Sequence, residues 1–256
     1  MKIKFLKNKL IYWTIVFIMA GCLWDMNKKS SQPKSSDVSY AVRVFRKPKK
    51  KSRAYEPIKE ILIRDFTRDF LERVTPSSFY FQGLEKKYGK ESLLEKYVWT
   101  HELNLNLAEN KRRPSEEDYK NLAQLVAESQ NVISAGVGSI DYCDERIVNA
   151  FVPLVKLETT HYISLINTDE KLNLPTPKTK GEKKNYIRRL IRETYKTRKE
   201  YSKYIEEMNK NVGNLYEVIG KTLKTIEKPF GLNELRVIKK ITQECYSKTI
   251  DDFFPK

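Results

Sequence analysis

The sequence predicts an all-α protein, an antiparallel bundle of about five to six helices that follows a disordered N-terminal tether. Two observations point there. Past residue 54 every periodic apolar stretch repeats at steps of three and four residues, the spacing of one helix face, and none long enough to count alternates. The segment 22–53 is rich in serine and lysine, holds two prolines, and has no helical period, so it reads as a flexible spacer ahead of the domain 54–256.

The chain opens with Lys2, Lys4, Lys7 and Lys9, runs through an uncharged stretch over 10–20, and arrives at Met19-Ala20-Gly21-Cys22. A basic start, a short apolar run and small residues make a secretory signal over 1–21, with cleavage between Gly21 and Cys22. Beyond it no uncharged apolar run approaches the roughly 20 residues of a membrane span. The run over 40–45 alternates but has no partner strand and is read as coil. The basic cluster 46–53 suits either anionic headgroups or a self-repelling spacer, and the spacer is the favoured reading.

The first helix is expected to start at Pro57, a good first helical residue, and to place Ile58, Ile61, Leu62, Phe66, Phe70 and Val74 on one stripe before Thr75-Pro76 stops it. Residues 76–90 are aromatic and broken by Gly83 and Gly89; Phe79-Tyr80-Phe81 either packs over the bundle end or forms an exposed patch. A shorter helix follows over 91–103. Pro114-Ser115 with Glu116, Glu117 and Asp118 is a helix start, since Ser115 accepts from free N–H groups and acids suit the positive helix end. That helix runs to about Ala135 and breaks at Gly136. The next is expected over 140–166 with Cys143 and His161 on its stripe and a kink at Pro153. A loop is expected over 167–181. The longest helix then covers 182–227, with Gly213 as the weak point, and a last helix covers 232–253 after Pro229 and Gly231.

Charge narrows the partners. The formal net charge is +16. Removing the four signal lysines leaves +12, and residues 22–53 carry ten Lys or Arg against Asp25 and Asp37, so the helical domain holds about +4. An ordinary domain charge on an exported chain argues against a nucleic-acid partner. Three cysteines become two if Cys22 is modified, and Cys143 and Cys245 are then either buried thiols, the favoured reading, or a disulfide pair.

No catalytic constellation is legible, and no metal or cofactor is expected. The two histidines, His101 and His161, are far apart, and His161 falls on an apolar stripe, as a core residue does. There is no HExxH, CxxC or GxSxG; Gly220-Lys221-Thr222 lacks the earlier glycine of a phosphate loop, having Leu215 in its place. A non-enzymatic protein is expected. The candidate ligand surface lies between Lys178 and Lys210, where 12 basic residues face five acids with tyrosines interleaved. Lys184, Arg188, Arg189, Arg192, Tyr195, Lys196 and Lys199 are its expected contact residues, suited to a sulfated polysaccharide or an acidic protein face. The commoner reading of such a run is a solvated helix face.

Met19-Ala20-Gly21-Cys22 resembles the bacterial lipoprotein box, with Met19 where Leu is usual. The resemblance implies that Cys22 carries a diacylglycerol thioether and an acylated amine, fatty acyl chains that hold the protein to a lipid bilayer. With the low-complexity tether and the Lys/Asn/Ile/Tyr-rich helical remainder, the chain resembles the surface lipoproteins of Lyme and relapsing-fever spirochaetes. That likeness implies an outer-membrane protein exposed at the cell surface. Members of such families bind host complement regulators, plasminogen or matrix components, so a host protein or glycosaminoglycan is the expected partner. No binding residue carries over from them. The alternative is a periplasmic structural or assembly lipoprotein.

Overall fold

The computed structural model describes residues 48, 50–134, 140–225 and 232–256. The chain divides into Met1–Tyr40 and Ala41–Lys256. The expected signal, Cys22 and nearly all of the tether lie outside the described residues, and the second unit is the helical domain.

Eight helices and no strand form among the described residues. Helix α1 joins Tyr55–Ile58, a π-helical stretch Lys59–Asp65 and Phe66–Val74; α2 is Phe79–Tyr88, α3 Lys90–Asn110, α4 Glu116–Ser134, α5 Glu145–Leu172, α6 Lys180–Tyr195, α7 Arg198–Thr225 and α8 Leu232–Phe253. The fold class is the one the three-and-four spacing predicts. The helices outnumber the expected five or six because one more forms where the chain looked broken and another where a long helix divides.

The extra helix is α2. Ser78, fully buried, caps it by accepting from the Phe81 N–H, and Gly83 sits in its middle without stopping it. Gly89 ends it at φ 75°, a left-handed value that glycine alone adopts without strain. The aromatic stretch then splits: Tyr80 and Phe81 enter the core, while Phe79 stays 79% exposed.

The divided helix is the segment expected to run over 182–227. It breaks at Lys196 and Thr197, and continues unbroken through Gly213. Lys196 adopts φ 57°. Thr197 then restarts the chain as α7, its hydroxyl accepting from the Glu200 N–H at 3.2 Å. Helix α6 opens the same way, with a reciprocal pair of bonds between Thr179 and Glu182. Local capping outweighs an apolar stripe that is unbroken in phase.

Other boundaries move by a turn or more. The loop expected over 167–181 shrinks to 173–179, because α5 continues to Leu172 and ends on Asn173 in the left-handed conformation. Helix α5 begins only at Glu145, capped by Asp144, so Ile140 and Cys143 precede it. Pro153 lies inside α5 on its exposed side, beside solvent rather than core. Helix α3 runs seven residues past its expected end, to Asn110. Every residue over 103–108 is buried, Leu103, Leu105 and Leu107 fully, so this part of α3 is covered on every side. The π-helical turn of α1 explains another difference: Ile58 and Ile63, five apart, are the fully buried pair there, whereas Leu62 and Phe66 are half-buried.

Bonded pairs set the directions. Tyr55 meets Asn106 while Arg64 meets Glu95, so α1 runs antiparallel to α3. His101 and Arg112 meet Glu158 and Glu170, so α3 and α5 run parallel. Tyr201 and Tyr216 meet Thr249 and Thr242, so α7 and α8 are antiparallel. One end of the domain thus holds the start of α1 and the ends of α3 and α5. There the chain entering the domain is tied down: the Ser52 N–H and hydroxyl donate to Glu109, and Arg53 donates to Asn173 Oδ1 at 2.9 Å and the Leu174 carbonyl at 3.1 Å. The ordered domain therefore takes in the last residues of the expected tether.

The break between α6 and α7 is directly testable. Thr197→Ala is expected to lower stability by about 1 kcal/mol in urea unfolding, the usual worth of an N-cap. Lys196→Gly, which relieves the positive φ, is expected to be neutral or stabilising.

Candidate functional site

The expected ligand surface is built on α6 and the start of α7, and the structure divides its residues into two groups. Arg188 Nε donates to the Asp252 carbonyl at 3.3 Å and Arg192 Nε to the Phe253 carbonyl at 2.9 Å. Arg198 donates to the Phe254 carbonyl and pairs with Asp251 at 2.7 Å. The last carbonyls of a helix have no partner within it and carry its negative end, and three guanidinium groups meet that need at the end of α8. Arg188 and Arg192 thus tie α6 to the chain's C-terminal turn.

Lys184, Arg189 and Lys199 form the second group, exposed on the outer face. Lys196 is exposed too, with its amine on Glu193 at 2.8 Å. Tyr195 is half-buried. Its hydroxyl lies 2.6 Å from His161 Nδ1, and its ring packs at 5.0 Å on Tyr201 and 5.6 Å on Tyr204. The other interleaved tyrosines also face inward, with Tyr186 on Asp169 and Tyr201 on Thr249. The expected pairing of surface charge with surface aromatics is absent from this face. Tyrosines at core steps of the helix leave its outer face to polar and charged residues, lysine and arginine among them.

His161 is the buried residue its stripe predicts. It stacks on Tyr204 with ring centroids 4.6 Å apart, and burial lowers its pKa to about 3. The neutral ring shares a hydrogen bond with the Tyr195 hydroxyl at Nδ1. His101 instead faces Glu158 Oε1 at 3.1 Å. Cys143 and Cys245 are free thiols in different settings, Cys143 beside Asn131 and Cys245 between Arg73 and Asp69. Burial raises both thiols to about 11, which keeps them protonated and unreactive near neutral pH. No three His, Cys, Asp or Glu side chains gather as a metal would need among the described residues. None of these helices is long and apolar enough to cross a membrane.

Sequence reasoning missed the polar cluster on α3, where Thr100, His101, Asn104 and Asn106 are wholly or largely buried. The alternation of Leu and Asn over 103–107 was its visible trace. An amide between two leucines on a helix covered all round has to be buried with them.

Fold and surface together define a class: an all-α domain with a basic outer helix and a polar-seamed interior. No protein-family model, no curated protein and no solved structure matches the chain.

Arg192→Ala is expected to cost roughly 0.5–1 kcal/mol, because the α8 carbonyl loses its donor, whereas Arg189→Ala stays within about 0.5 kcal/mol. His161 supplies a pH test. Its folded pKa is below the unfolded value near 6.5, so protonation favours the unfolded chain. Stability is full above about pH 6.5 and falls with pH toward 3, by at most about 1.4 kcal/mol per unit. His161→Gln is expected to flatten that slope between pH 6.5 and 4.5 in urea titrations.

Proposed function

We propose that this chain is a lipid-anchored lipoprotein of the outer membrane, of the spirochaetal surface type, whose helical domain binds a host macromolecule without catalysis. The anchor is the acylated Cys22 in Met19-Ala20-Gly21-Cys22. The observation that supports display is the chain's point of entry. Ser52 and Arg53 fasten the incoming segment to the ends of α3 and α5, so the chain joins the domain at one end. Helix α5 alone, 28 residues, carries the fold about 40 Å from that end at 1.5 Å per residue. Phe79, at the start of α2 beyond the far end of α1, is 79% exposed there.

For the partner, the exposed group Lys184, Arg189 and Lys199 fits a sulfated polysaccharide or an acidic protein face better than the full set of seven. Arg188 and Arg192 are occupied within the fold, and Tyr195 is turned inward. A solvated surface is the competing outcome for this face. A periplasmic structural or assembly lipoprotein is the competing reading of the anchor.

Two measurements separate these. Protease added to intact cells is expected to remove the helical domain; survival until the envelope is opened would make the protein periplasmic. The triple change Lys184→Ser, Arg189→Ser, Lys199→Ser is expected to elute from heparin at lower salt with an unchanged melting temperature. Elution at the same salt would remove this face as the polyanion site.

A further inference from the structure

A cavity of about 180 Å³ lies among seven of the eight helices, all but α6. Its lining is largely aromatic, with Phe66, Phe70, Phe81, Tyr97, Tyr216 and Tyr246 around it. Three of these tyrosines carry a second sign of the space. Tyr97, Tyr216 and Tyr246 are only half-buried by accessible surface, yet burial pushes each hydroxyl above its usual pKa, Tyr216 to about 12 and the other two well above the ordinary value. A side chain that lies deep in the protein and still keeps accessible surface borders an internal void. The cavity they line is that void.

Volume and lining together limit what fits. Dry apolar cavities of about 150 Å³ admit a benzene ring, so this one takes a single ring with a small substituent. The rings of Phe70 and Phe81 meet edge to face at 5.6 Å, and a guest ring extends the same packing. The polar groups of the lining are in good part occupied by the protein itself: the Thr100 hydroxyl donates to the Lys96 carbonyl and the Thr242 hydroxyl to the Ile238 carbonyl. The Glu158 carboxylate accepts from the Asn104 amide and from the Tyr162 hydroxyl at 3.1 Å, and faces His101 at 3.1 Å. Among the described residues no lysine or arginine lines the cavity, so an anion finds no counter-charge there. A cation finds one carboxylate, already committed to neighbours on α3 and α5.

We propose that this cavity is a binding site for a small uncharged apolar molecule, one ring in size. The guest gains apolar contact with the rings around it and gives up no hydration of a charge. The site is independent of the cationic face on α6 and α7, which contributes no lysine or arginine to it.

The test uses the full-length chain carrying Cys22→Ser, which cannot be lipidated, so that neither lipid nor detergent competes for the probe. Toluene, benzoate and benzylamine share one size and differ in charge. Toluene is expected to bind by ligand-observed NMR and to raise the melting temperature, and the two charged probes are expected to bind at least about tenfold more weakly. Intermolecular NOEs are expected from the toluene methyl to the ring protons of Tyr97, Tyr216 and Phe81. Val212→Phe, which places a ring in the cavity, is expected to abolish toluene binding. The proposal is overturned if toluene does not bind, if benzoate or benzylamine binds as tightly, or if Val212→Phe folds and still binds it. It is overturned equally if the NOEs lead to the exposed Phe79 and Val132 instead, a result that needs no variant to fold.

Discussion

The burial of α3 on all sides over 103–108 is the constraint on which the rest of this structure depends. A helical segment with little or no solvent face must find internal partners for its polar side chains, and α3 carries five such residues over 100–106. The partners come from three neighbouring helices. Thr100 meets Ser129 on α4, His101 and Asn104 meet Glu158 on α5, and Asn106 accepts from the Tyr55 hydroxyl on α1 at 2.5 Å. Glu102 receives Tyr55 and Lys59. Apolar packing alone tolerates sliding and rotation of helices, whereas these bonds are directional and specify one register for α1, α4 and α5 around α3.

A second set of directional bonds closes the bundle. Helices α7 and α8 form a hairpin whose end is held by Arg188, Arg192 and Arg198 through the carbonyls of the last residues. The basic segment of the chain therefore does two jobs. On its inner side it terminates α8, and on its outer side it leaves a smaller cationic face. Charge counted along the sequence overstates that face, because guanidinium groups bonded to carbonyls are partly removed from water and held in place. The tyrosines between them form the aromatic packing around His161, which is why the imidazole stays neutral.

Much of the fold was legible in the sequence. The three-and-four spacing identified α1, α4, α5 and α8, and Ser115 marked the start of α4, where its backbone N–H and hydroxyl reach Asp118 Oδ2 at 2.8 and 2.9 Å. The division of α6 from α7 had a signal too: Thr179-Lys-Gly-Glu182 and Thr197-Arg-Lys-Glu200 share the pattern of a helix start. The apolar stripe masked the second of these, since two helices that meet with little change in phase look like one. Helix α3 was cut short because Leu and Asn alternate over its second half, and a helix buried all round has no polar face to complete the pattern. Helix α2 was missed because glycine and aromatic residues are weak helix formers in isolation; packing against the core supplies what propensity lacks.

The sequence by itself determined the helical class, the bounds of α4 and α8 and the burial of His161, because these follow from the spacing of apolar side chains and from local helix-start and helix-stop residues. Only the tertiary structure decided which way the long side chains point. Arg188, Arg192 and Tyr195 each have several rotamers, and the choice among them depends on carbonyls and rings that lie 34 to 64 residues away in the chain. The cavity beside Asn104 and Thr67 is likewise a property of the assembled bundle. Its lining comes from seven of the eight helices, all but α6, and no local pattern records that.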